Sequence, residues 1–99
     1  MNHPDMDRLM DERRAACVAM EERTGERWLL GSGYSAQKLH WPTTVGGELR
    51  SRCTGRVRLD VARTENHDEE FGKGAHPLCG SCVNEVEGRP NRALMERRR

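Results

Sequence analysis

Two cysteines two residues apart, in Cys79-Gly80-Ser81-Cys82, carry the strongest chemical signal in this chain. Two thiolates at that spacing chelate one ion when the turn between them is tight. Gly80 and Ser81 permit such a turn and leave backbone N–H groups aimed at sulfur. A Cys-x-x-Cys supplies two ligands, whereas a structural zinc takes four in a tetrahedron. The other two must come from Cys17, Cys53, His3, His40, His67 and His76. His40 and Cys53 are the expected pair, because they flank Gly46-Gly47. A hairpin that pairs residues 38–41 with 48–53 brings both side chains to one ion, in the order His-x12-Cys-x25-Cys-x2-Cys.

His76 is the rival of His40. It stands three residues before Cys79, and Pro77 stiffens its approach, but three ligands within seven residues crowd a tetrahedron. His67 lies among acids and reads as solvated, and His3 as terminal and free. Cys17 reads as a small hydrophobe on a helix face. A thioredoxin-type redox pair belongs at a helix start after a strand in a βαβ unit, and this chain has no such pattern. Disulfides imply export, yet residues 1–24 carry six acids and four arginines where an export signal has a basic start and an apolar stretch. One enzyme pattern is faintly present. His67-Asp68-Glu69 followed by Pro77-Leu78-Cys79-Gly80-Ser81-Cys82 approximates the zinc deaminase signature. Leu78 separates Pro77 from Cys79, and the gap is too short for the strand and helix that belong between the halves. No catalytic residue is therefore assigned, and the chain is expected not to be an enzyme.

The elements that must position these ligands are short. Residues 6–23 contain neither Gly nor Pro, with acids in the first turns and Asp5 or Asp7 available as a cap. Met6, Leu9, Met10, Cys17 and Met20 recur on one face at helical spacing, interrupted by Arg13, and Gly25 closes the helix. Residues 27–30 and 38–41 are short apolar runs, the second stopped by Pro42. Residues 48–53 are expected to return from the Gly46-Gly47 turn. Val57, Leu59 and Val61 alternate with polar neighbours and predict the clearest strand, over residues 56–63. Residues 64–76 read as an exposed acidic loop anchored by Phe71. Residues 83–87 predict a helical turn broken by Gly88-Arg89-Pro90, and residues 93–98 a frayed last helix. The expected fold class is α+β: a small zinc-ribbon-like β-hairpin core with an N-terminal helix and a short C-terminal helix. The expected division is 1–25 helix, 26–88 zinc-stabilised β-rich domain and 89–99 basic tail.

Composition explains why a metal is wanted. The chain has 99 residues, 34% hydrophobic and 33% charged, with four aromatics in all. So small a core needs a disulfide, a metal or a partner to offset chain entropy. No apolar run approaches the length of a membrane span, which is about 20 residues. The net charge of +1 hides blocks: −2 over residues 1–24, +4 over 25–63, −5 over 64–88 and +4 over 89–99. Fifteen of the seventeen basic residues are Arg, which a GC-rich genome accounts for.

His40, then Cys53 with Gly55-Arg56, then Leu78-Cys79-Gly80-Ser81-Cys82 resembles the small zinc-finger-like, zinc-ribbon-type proteins of actinobacteria and their phages. Those read as a His, a Cys-Gly-Arg segment and a final Cys-x-x-Cys. The likeness covers residues 38–83, and Thr54 is inserted between Cys53 and Gly55. It implies a bound metal, a bacterial cytoplasm and the binding of a host enzyme or virion component.

Two classes of partner follow from the residues. The stripe Met6, Leu9, Met10 and Met20 suits an adaptable contact with another protein, and this adaptor role is the expected function. The alternative is nucleic acid, held by Arg50, Arg52, Arg56, Arg58 and Arg63 on phosphate with Trp41 or Tyr34 stacking. A membrane or a small-molecule substrate is not expected.

Overall fold

The computed structural model describes residues 4–33 and 37–89. The tail from residue 90 onward, including the helix expected over 93–98, lies outside the described residues, as do His3 and Tyr34. Helix α1 spans Pro4–Thr24. Strands β1 (Leu29–Leu30) and β2 (Leu39–His40) pair antiparallel, and so do β3 (Pro42–Val45) and β4 (Glu48–Ser51). Helices α2 (Val61–Phe71) and α3 (Gly80–Glu87) complete an α+β fold. No helix among the described residues is long and apolar enough to cross a membrane.

Helix α1 ends at Gly25, whose φ of 71° lets its N–H bond the Glu21 carbonyl. Asp5 and Asp7 lie inside the helix rather than at its cap. The hairpin turn at Gly46-Gly47 forms as expected, with positive φ at both glycines. Its strands are placed differently. β2 ends before Pro42, and Pro42 itself opens β3, which its missing N–H allows at the first residue of an edge strand. Residues 38–41 do not pair with 48–53 as one hairpin. Instead β2 pairs with β1, and a bond from the Arg52 N–H to the Trp41 carbonyl carries the β3–β4 ladder back toward His40.

The strand expected over residues 56–63 is corrected to a short bridged segment followed by a helix. Arg58 bridges Arg50, and Leu59 bridges Gly31, so the segment lies along β4 and reaches the end of β1. The chain then turns into α2 at Asp60, whose carboxylate accepts the Arg63 N–H at 3.0 Å. The exposed loop expected over 64–76 is likewise corrected, since its first half is α2. The inward-facing residue of this helix is polar: Thr64 is buried, its hydroxyl donating to the Asp60 carbonyl and accepting the Leu30 N–H. Arg27 fixes the other end through Asp68 at 2.8 Å and Glu65 at 3.3 Å. Phe71, the expected anchor of that loop, is exposed.

The segment after α2 crosses α1 at close range. A Cβ on Gly74 would lie 2.7 Å from the Arg14 Cα, and φ there is +75°, so only glycine fits. Arg13 donates to the Ala75 carbonyl, Arg14 to the Lys73 carbonyl, and Lys73 pairs with Glu21. The core beneath consists of Cys17, Trp28, Leu30, Leu39, Cys53, Cys79 and Cys82, with Met20, Trp41, Leu78, Val83 and Val86 packed against it. Only three of those seven buried residues are large apolar side chains, so burial alone gives this chain a weak core.

Candidate metal centre

Three pieces of local structure deliver four side chains to one point. His40 is the last residue of β2. Cys53 sits in the turn after β4, where Gly55 (φ 71°) returns its N–H to the Ser51 carbonyl and the Ser51 and Thr54 hydroxyls bond each other. Cys79 caps the start of α3, and Cys82 lies in its first turn. β2 is tied to this last knuckle by main-chain bonds, Leu39 N–H to the Pro77 carbonyl and Cys79 N–H to the Leu39 carbonyl. His40 is therefore positioned by the same backbone that positions Cys79.

The ligand atoms of His40, Cys53, Cys79 and Cys82 all lie within 4.8 Å of one another, and all four residues are buried. His40 Nδ1 is 4.0 Å from Cys53 Sγ and 3.9 Å from Cys82 Sγ, and Cys79 Sγ is 3.9 Å from Cys53 Sγ. A tetrahedral zinc with ordinary Zn–S and Zn–N bonds has edges of about 3.6–3.8 Å between its ligands. These three distances come close to such edges, and the cluster is consistent with a four-ligand metal site.

The electrostatics point the same way. The Cys79 thiol is driven far below its ordinary value by hydrogen bonding with Cys53, then with Cys82, and with the backbone N–H groups of Cys82 and Ser81. The Cys82 thiol is pushed up, because hydrogen bonding with Cys53 and Cys79 and its own burial all favour the protonated form. Hydrogen bonding with Cys79 raises the Cys53 thiol, but hydrogen bonding with Cys82, His40 and Ser51 lowers it on balance, so the buried cluster favours thiolate character that a bound cation would balance.

The rivals fall elsewhere. His76 is outside the cluster and bonds His67, with His67 Nδ1 and His76 Nε2 2.9 Å apart. His67 is half-buried in that pair rather than solvated. Cys17 is buried in the core, and burial, then Glu21, raises its thiol to about 11. The main-chain N–H of Trp41, which bonds Cys82, is a contributor that ligand spacing alone does not reveal.

The expected contact residues divide. Met20 packs against the core, whereas Met6 and Leu9 are 56% and 38% exposed and Met10 is half-buried. Among the described residues, no side chain of 6–12 makes a hydrogen bond or ion pair. The five arginines do not form one stripe. Arg50 and Arg58 share Glu48, at 2.9 and 3.6 Å. Arg63, on α2, donates to the carbonyls of Gly31 and Gly33. Arg52 lies over the Trp41 ring at 4.1 Å, and Arg56 is exposed. An open cavity of about 400 Å³, lined by Arg27, Thr43, Leu49 and Arg52 among others, includes none of the four clustered residues.

No protein-family model, no curated protein and no solved structure matches this chain.

Proposed function

We propose that this is a small non-enzymatic zinc-binding protein in which zinc is a structural staple and the start of α1 is an adaptor surface for another protein. The observation that carries the first half is the buried His40–Cys53–Cys79–Cys82 cluster. Three thiolates with one imidazole form a donor set suited to Zn²⁺. Four protein ligands leave no open position for a substrate, and the cavity lies away from them, which supports a structural rather than a catalytic metal. When bound, zinc supplies charge that allows three buried thiolates to coexist. It thereby joins β2, the turn after β4 and α3 into one body.

The adaptor half rests on Met6, Leu9 and Met10, which lie on α1 beyond the Arg13 and Arg14 anchors. Apolar side chains left uncovered there favour a protein partner. By the resemblance to actinobacterial and phage proteins, that partner is a host factor or virion component in the bacterial cytoplasm. Nucleic acid is the weaker reading, since Arg50, Arg58 and Arg63 are engaged within the fold.

Replacing Met6 and Met10 together by Asp is expected to leave zinc content and melting temperature unchanged while abolishing partner capture from host lysate. Unfolding of that variant would make the stripe part of the core and end the adaptor reading. A series of DNA-binding measurements at rising salt checks the other class, because phosphate contacts weaken steeply with ionic strength.

A further inference from the structure

We infer that His67 and His76 form an acid-sensitive clasp, which holds α2 to the segment leading into the metal knuckle and opens when both rings carry a proton. The pair lies outside the metal cluster, and neither the staple nor the adaptor surface uses it. His67 projects from α2, and His76 stands after the Gly74 crossing and just before Pro77. His67 Nδ1 and His76 Nε2 are 2.9 Å apart, and the Phe71 ring packs against His67 at 5.5 Å.

A contact between two imidazole nitrogens needs an N–H on one and a bare lone pair on the other. One neutral ring is enough to keep it. Two imidazolium rings present two donors and two like charges, so the bond is lost. The surroundings sharpen this. Arg13 from α1 and Arg63 from α2 face His76 with positive charge, and Asp68 is the acid that opposes them. Burial, then His67, then these arginines hold the His76 ring below its ordinary 6.5. The same cations disfavour a divalent metal at the pair.

The sign follows from proton counting. The unfolded chain protonates His76 near pH 6.5, and the folded chain only at lower pH. Across that window the unfolded state binds more protons, so the clasp's stabilisation is complete above pH 6.5 and is lost as pH falls through the folded value. Arg13 donates to the Ala75 carbonyl, next to His76, so opening the clasp also loosens the anchor of α1.

Hydrogen exchange on the zinc-loaded full chain tests this. Protection of the amides of residues 72–76, normalised for intrinsic exchange, is expected to fall severalfold between pH 7.5 and 5.5, the direction set by the depressed His76 ring. In His76→Gln, which keeps a hydrogen-bonding side chain without a titrating ring, that fall is expected to vanish, and in His67→Gln it is expected to shrink. The ring resonances of His76 in the unmodified protein give an independent readout and should titrate below its ordinary value. The clasp is overturned if folded His76→Gln keeps the acid response, if His67→Gln keeps it undiminished, or if the unmodified protein shows none. It is also overturned if cobalt substituted for zinc loses its thiolate absorbance over that same window, or if the pair takes up a second zinc.

Discussion

Chelation of the metal at neutral pH is expected to unfold this protein, and returning zinc is expected to refold it. The core explains the size of the effect. Cys53, Cys79 and Cys82 make up three of the seven residues in the buried cluster, against Trp28, Leu30 and Leu39 as its large apolar members. Without a cation, the buried sulfurs have nothing to balance their charge, and β2, the β4 turn and α3 lose the ion that would draw them together. Structural zinc supplies on the order of 10 kcal/mol to folding, which matches or exceeds the whole stability of a domain this small. Trp28, 1% exposed, reports the event directly. Its fluorescence is expected to shift to that of solvated indole as chelator is added, together with loss of helical circular dichroism. An unchanged spectrum in the stripped protein would mean that the core stands without the staple.

The second large effect separates the ligands from their neighbours. Cys53→Ser, Cys79→Ser and Cys82→Ser are each expected to abolish zinc binding and unfold the chain, because a hydroxyl does not replace a thiolate at zinc. Cys17→Ser is expected to keep one zinc and lose about 1–3 kcal/mol, since its hydroxyl is buried without an assured partner. His76→Gln should also keep the metal, because His76 lies at His67 and not in the cluster. Metal content and thermal melting across the five variants check this. Loss of zinc in Cys17→Ser with retention in Cys53→Ser would overturn the assignment.

What could be read from the sequence was what depends on local chemistry. The Cys79-Gly80-Ser81-Cys82 spacing, the Gly46-Gly47 turn and the Gly-free stretch before Gly25 each specify structure within a few residues. The His40–Cys53 pairing followed from the turn between them, although the hairpin that closes there runs from Pro42 rather than through 38–41. Helix α2 was illegible because its buried contact is made by Thr64, a polar residue satisfied by Asp60 and Leu30, so no apolar period marks it. Val57, Leu59 and Val61 suggested a longer strand, but the Asp60 cap ends the extended segment between Leu59 and Val61. The methionine stripe could not be divided from sequence either. Which part of α1 is covered depends on where the Gly74 crossing and α3 meet it, and those contacts are distant in the chain.

The central claim is that four residues of this chain hold one zinc, and the mass of the protein purified without chelator and measured under native conditions tests it most directly. The account predicts one zinc per folded chain, released together with the fold on denaturation. A metal-free mass accompanied by the full native structure would contradict it.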